Sequence, residues 1–244
     1  MLESDGRLRL WNMQERFEQV WGRIREAEMK AGRPQGSVGL IAVSKTQPTK
    51  AIREAYALGQ RHFGENYLQE ALAKQEELKD LDGLIWHFIG PIQSNKTRPI
   101  AEHFDWVHSV DRAKTALRLH QQRPEDLPPL NVCIQVNVSG EESKSGITLA
   151  EVPEIAASFE HLDRLCLRGL MTIPASLADD VQDPGYPFRL LRQALSDLKQ
   201  PLDTLSMGMS DDLEWAIQEG ATWVRIGTAL FGPRQGSDRI AIPE

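Results

Sequence analysis

Few of the usual signatures of a disulfide scaffold, a metal site or a membrane protein occur in this sequence. It has two cysteines in 244 residues, Cys133 and Cys166, each inside an apolar segment and not in a paired spacing. That excludes a disulfide framework and predicts two buried thiols in a reducing compartment. The six histidines are scattered with no HExxH spacing, so a metal site is not expected. No apolar run approaches the length of a membrane span, and the N-terminal MLESDGRLRLW lacks the apolar core of a signal peptide. No long basic block occurs, and 28 basic against 35 acidic residues leave a net charge of −7. Nucleic acid and anionic membrane are therefore excluded as main partners, and the expected location is cytoplasmic. Neither GxGxxG nor a P-loop glycine pattern is present.

What remains is the composition of an ordinary soluble enzyme-sized domain, 41% hydrophobic and 26% charged. Residues 12–31 carry Phe17, Val20, Ile24, Ala27 and Ala31 at three-and-four spacing, which predicts a helix with one apolar face, stopped by Gly32 and Pro34. Strand-like and helix-like segments then alternate. The strands are GLIAVS (39–44), HFG, IWHFIG (85–90), WVHSV (106–110), LNVCIQVNV (130–138), LCLRGLMTI (165–173), TLSMGMS (204–210) and TWVRIGTALFG (222–232). Helices are expected at about 49–58, 67–79, from near Gln93, from an Asp111 N-cap through His120, and at 149–159, 187–199 and 211–219. Eight strands separated by helices imply parallel pairing with right-handed crossovers and fit an α/β fold, a (β/α)8 TIM-type barrel. An open doubly wound sheet is the alternative. The tail after Gly232 reads as irregular, so the N-terminal helix is spare and available to cover the place of the last barrel helix. The expected organisation is one domain over 1–244, with its core at about 12–232.

Barrel chemistry collects at the C-terminal ends of the strands. Here those ends carry Ser44–Lys45, Asn66, His87, His108–Ser109, Asn137, Met171, Ser206–Met207 and Arg225–Gly227. A lysine at the lip of a barrel, partly desolvated, is suited to Schiff-base chemistry, although a lysine snorkelling to the surface fits the same position. The loops after the seventh and eighth strands, with Gly208, Ser210, Gly227 and Thr228, are where barrels frequently bind phosphate. The competing reading is that Ser210 or Asp211 caps a helix, with Glu214 completing a capping box. An amine opposite a phosphate site suits either a sugar phosphate in a Schiff-base aldolase or pyridoxal phosphate.

IAVSKTQPTKAI, HFGENYLQE, IWHFIGPIQSNK, VNVSGEESKSGI, RGLMTIP, SMGMSDDLEWAI and VRIGTALFG occur in this order over about residues 12–232. The set resembles the pyridoxal phosphate homeostasis proteins, whose barrel is similar to the N-terminal domain of bacterial alanine racemases. The resemblance implies a fold-type III PLP barrel without the second β domain, with pyridoxal 5'-phosphate (PLP) as cofactor. It makes Lys45 the Schiff-base lysine, puts Ser210, Gly227 and Thr228 around the phosphate, Arg225 beside the pyridine nitrogen and Asn66 at the ring substituents. It implies a role in vitamin B6 homeostasis, holding PLP and buffering or delivering it to apo PLP-dependent enzymes, without catalytic turnover. A racemase of this type needs a second base, similar to a tyrosine on a further domain, for which the sequence leaves no room. A weak PLP-dependent amino-acid racemase is the alternative. His87 is open to two readings, pocket wall or core. Lys144 is read as a solvated loop charge or a residue at the mouth, and the 174–188 loop as a lid or as disorder.

Overall fold

The fold is seen in a computed structural model, which describes residues 12–141, 144–174 and 183–232. Helix α1 (Met13–Lys30) comes first, followed by β1 (Gly39–Val43), α2 (Thr49–Ala57), β2 (His62–Glu65), α3 (Leu68–Glu77), β3 (Ile85–Phe88) and α4 (Thr97–His103). Then come β4 (Trp106–Val110), α5 (Ala113–Gln122), β5 (Leu130–Gln135), a 3-10 turn at Leu149–Glu151, α6 (Val152–Ala157) and β6 (Leu165–Met171). The chain closes with α7 (Tyr186–Asp197), β7 (Thr204–Ser206), α8 (Leu213–Gln218), β8 (Trp223–Ile226) and a short α9 (Thr228–Phe231). The strands form a closed parallel barrel in sequence order, and β8 returns to β1 with Leu40 opposite Val224. The expected (β/α)8 barrel is what forms, and the open sheet is excluded.

The alternation within each strand divides the core into two layers. In β5, Val132 and Ile134 belong to the large apolar layer beneath the helices, whereas Cys133 packs inside the barrel with Trp106 and Met171. The apolar face of that strand is therefore its helix side, and the small or polar face fills the interior. Helix α2 presents Ile52 and Ala55, and α5 presents Ala116 and Leu119, all fully buried. Each such aliphatic contributes about 1.5–3 kcal/mol of burial for the larger side chains. Helix α1 opens on a capping box, Asn12 Oδ1 accepting from Glu15 N at 2.9 Å and Glu15 Oε2 from Asn12 N at 3.0 Å. It buries Phe17, Val20, Ile24 and Ala27 and packs against α8 and α9, the place expected for the spare helix.

Three local expectations are corrected. Cys166 is exposed, because it lies near the start of β6, at the rim where the helix layer no longer covers the strand; Cys133 is buried as expected. Asp111 does not cap α5: the N-cap is Arg112, and the Asp111 carboxylate is held by the Arg112 guanidinium at 3.0 Å. Helix α4 starts at Thr97 and not near Gln93, since residues 93–96 form a turn closed by Lys96 N donating to Gln93 O at 2.9 Å. Among the described residues, no helix is long and apolar enough to cross a membrane, and no cluster of His, Cys, Asp and Glu could hold a metal ion.

Candidate functional site

The strand ends open into a cavity of about 620 Å³, lined by Lys45, Asn66, Ser210, Arg225, Gly227 and Thr228 among others. All six residues expected at the site thus border one cavity, though they come from at or just beyond the ends of four different strands, β1, β2, β7 and β8. The lining adds residues the sequence did not announce. Val43, Ile89, Ile173 and Met209 give it apolar walls, and Arg23 reaches it from α1.

Arg23 belongs to a device that shapes the loop after β7. Its Nη2 donates to Ser210 O at 2.8 Å, and its Nε and Nη2 grip the Glu214 carboxylate at 2.7 and 2.8 Å. Asp212, not Ser210 or Asp211, holds the turn, its Oδ1 accepting from Met209 N at 2.6 Å. The N-cap of α8 is Asp212, which puts Glu214 at the second helical position and not the third, so the expected capping box does not form, and the Glu214 carboxylate turns to Arg23 instead. Burial pushes the Asp212 carboxyl above its usual range, partly offset by its bond to Met209 N. Gly208 sits at φ 99° in the left-handed region, and a Cβ there would meet the Ala216 Cβ at 2.7 Å. Only glycine lets the loop turn this tightly over α8.

Arg225 is buried, and burial pushes its pKa down to about 10, so it stays charged at neutral pH. Its Nη2 donates to Thr172 O and its Nη1 to Ser206 Oγ, both at 2.8 Å. Below Ser206 runs a column of three imidazoles. His108 Nδ1 lies 2.8 Å from Ser206 Oγ, His87 Nδ1 lies 2.9 Å from His108 Nε2, and His62 Nδ1 lies 2.9 Å from His87 Nε2. The direction of this chain follows from its first member. A guanidinium only donates, so Ser206 Oγ accepts from Arg225; among the described residues its own proton finds no acceptor but His108 Nδ1. His108 then carries its proton on Nε2 and donates to His87, which does the same to His62. Burial holds all three imidazoles below their ordinary range, His108 at about 3, with the Arg225 charge adding to the effect there. The column is therefore neutral, with every dipole directed away from Arg225. His87, open to two readings in the sequence, is a core histidine in this column and not a wall of the cavity.

Asn66 Oδ1 is buried with no hydrogen-bond partner among the described residues, although Asn66 borders the cavity. Its backbone is approached closely by Gly90, where a Cβ would meet Asn66 O at 2.2 Å. Lys144 does not line the cavity; its carbonyl accepts from Asn137 Nδ2 at 3.2 Å. Most of the 174–188 loop lies outside the described residues.

With this geometry in hand, comparison with known proteins is decisive. The family model described as alanine racemase, N-terminal domain, matches residues 19–235. A pyridoxal phosphate homeostasis protein of Pseudomonas aeruginosa is 64% identical over 220 residues, covering 90% of this chain and 95% of its own. The chain belongs to the pyridoxal phosphate homeostasis protein family. A relative of the same name from Escherichia coli is 53% identical over 229 residues, covering 91% of this chain and 96% of its own. Among solved structures, PipY of Synechococcus elongatus with PLP bound superposes with a TM-score of 0.78 at 42% identity, covering 91% of this chain and all of that one. An alanine racemase from E. faecalis shares the fold alone, with a TM-score of 0.67 at 18% identity over 61% of its length.

Proposed function

We propose that the chain binds pyridoxal 5'-phosphate in the cavity at the strand ends and serves vitamin B6 homeostasis, buffering and delivering the cofactor without turnover. The observation that carries the reading is the convergence of an amine, an arginine and the two hydroxyl-bearing loops on one cavity. The membership of the family and the PLP-bound relative support the same ligand. The residues present fit it. The unpartnered Asn66 Oδ1 is an acceptor awaiting a donor, such as a ring hydroxyl. The Ser210 and Thr228 loops, with Gly227 between strand and turn, offer hydroxyls and close backbone approach to a phosphate.

When bound, the cofactor supplies an aldehyde that bonds reversibly to an amine and a ring that can withdraw electrons. In this reading Lys45 supplies the amine and Arg225 faces the ring nitrogen. The guanidinium keeps its protons at neutral pH and is fixed by Ser206 and Thr172, so it donates a hydrogen bond without transferring a proton and discourages ring protonation. That weakens the ring as an electron sink. Racemisation also needs proton-transfer groups on both faces of a substrate carbon. Among the described residues that line the cavity, Asp211 is the one acid–base side chain besides Lys45 and the two arginines, and it lies on the loop read here as the phosphate end. These residues suit holding and releasing the cofactor better than turning over amino acids.

We further propose a single domain with its core at about 12–232, a cytoplasmic location, and apo PLP-dependent enzymes as recipients. The test is direct: protein loaded with PLP is incubated with L-alanine in deuterated water and, separately, with an apo PLP-dependent enzyme. Activation of the apoenzyme without α-deuterium incorporation or D-alanine formation is expected. Sustained exchange at Lys45-dependent rates would replace this reading with a racemase.

A further inference from the structure

The chain is anchored on both sides of Lys45 by one charge network, buried at Glu65 and Lys74 and partly exposed at Glu70, that the cavity itself does not use. Ser44 Oγ donates to Glu65 Oε1 at 2.6 Å, and Ser44 O accepts from Lys74 Nζ at 2.7 Å. On the other side, Thr46 N donates to Glu70 Oε1 at 2.6 Å. Lys74 joins the two anchors, its Nζ lying 2.7 Å from Glu65 Oε1 and 2.6 Å from Glu70 Oε1. All three donors of its ammonium are thereby engaged on Ser44, Glu65 and Glu70. Lys74 and Glu65 are both buried, Lys74 at 5% and Glu65 at 0% exposure.

The network coincides with backbone strain. Thr46 has φ 63°, the one non-glycine residue with positive φ among those described. A β-branched residue in this region persists only where its surroundings over-determine it. The Glu70 bond to its N–H is such a constraint, and Lys74 fixes Glu70. Helix α3 places Glu70 and Lys74 four residues apart on one face, while Glu65 ends β2 beside the end of β1. A buried ion pair is weak evidence for stability, since a packed apolar pair often serves as well or better. Its placement across the two residues that flank Lys45 needs another reason.

We propose that Lys74, with Glu65 and Glu70, is a positioning group for Lys45: it clamps Ser44 and left-handed Thr46 so that the Lys45 amine is presented to the cavity in one orientation. This rests on the reading of Lys45 as the cofactor-bonding amine, and it adds residues that do not touch the cofactor. Without the clamp, Thr46 relaxes to an ordinary backbone region, the Lys45 Cα–Cβ direction turns with it, and the amine loses its alignment.

The test uses the full chain with two probes, pyridoxal 5'-phosphate and the amine reagent trinitrobenzenesulfonate, each followed at Lys45 by peptide mapping. Glu65→Gln/Lys74→Met keeps an acceptor for Ser44 and avoids a lone buried charge. A misplacement on the ångström scale costs on the order of tenfold to a hundredfold, so bonding of PLP at Lys45 should slow by about tenfold or more. The pH profile of Lys45 labelling by the cofactor-free reagent should shift as well. Adding Thr46→Gly should restore much of the lost rate, because glycine adopts positive φ without steric cost. Lys45 kinetics with both probes equal to wild type, in a folded double variant, would overturn the proposal. If that variant does not fold, Glu70→Ala removes the acceptor of Thr46 N from a partly exposed position, and unchanged Lys45 kinetics there would overturn it equally. Wild-type protein that forms no PLP adduct at Lys45 would sink the proposed function, while the cofactor-free reagent would still decide the clamp.

Discussion

Ser206→Ala tests whether the column beneath Arg225 is a connected chain. The substitution removes one hydroxyl and leaves two buried groups unpaired, the Arg225 Nη1 donor and the His108 Nδ1 acceptor. A buried polar group stripped of its partner costs about 1–3 kcal/mol, with charged groups at the upper end. The sum is about 4 kcal/mol, and in a chain of this size each kcal/mol moves the melting temperature by about 2–4 °C. A drop of about 10 °C is therefore expected in thermal unfolding followed by circular dichroism. His108→Leu should also destabilise, by orphaning the Ser206 hydroxyl and His87 Nδ1. The double variant should cost less than the sum by about 1–2 kcal/mol, because the two singles each break the same bond. Nitrogen-15 correlation spectra of histidine-labelled protein should find His87 and His108 neutral and protonated on Nε2. A Ser206→Ala protein that melts within about 2 °C of wild type, or strictly additive costs, would refute the directed chain.

Other consequences follow from the same geometry. The histidines of the column have lowered pKa values when folded, so the unfolded chain binds more protons below the ordinary value of 6.5. Stability should thus fall as pH drops from 6.5 toward 3, by about 2 kcal/mol from His108 alone at about pH 5, with His87 and His62 acting in the same direction, read as a lower denaturation midpoint. The raised carboxyls Glu65, Asp105 and Asp212 act in the opposite sense as they protonate, so His108→Gln should flatten the acid limb where their removal would steepen it. Gly90→Ala should displace Asn66, whose carbonyl would lie 2.2 Å from the new methyl, and weaken PLP binding by about tenfold in fluorescence titration. Thr228→Ala should weaken PLP retention without removing the bond to Lys45; unchanged affinity would count against a phosphate contact there.

The barrel was legible because its signal is redundant. Eight short apolar strands, each followed by a helical pattern, leave few ways to pair, and the closed order β1 to β8 is the simplest. The six expected site residues were legible through strand-end position and family motifs, and they do border one cavity. Their roles toward the cofactor rest on the proposal. What escaped depends on contacts between distant residues. Arg23 sits 187 positions from the Ser210 carbonyl it holds, and nothing in the periodicity of α1 marks it as more than a boundary residue. The histidine column did leave a trace, since HFG, IWHF and WVHS each carry one histidine on consecutive strands. Linking them required the register that puts Gly64 beside His87 and His87 beside Trp106. Local errors came from end effects: Asp111 is one residue too early to cap α5, and Cys166 lies where β6 has just emerged from the rim.

The central claim is that Lys45 bonds pyridoxal phosphate in this cavity. It is tested most directly by incubating the protein with excess pyridoxal phosphate, reducing with borohydride and mapping the peptides by mass. A pyridoxyl adduct on the peptide containing Lys45, absent from a folded Lys45→Ala variant, is the predicted result. No adduct, or an adduct that persists on another lysine in Lys45→Ala, would contradict the account.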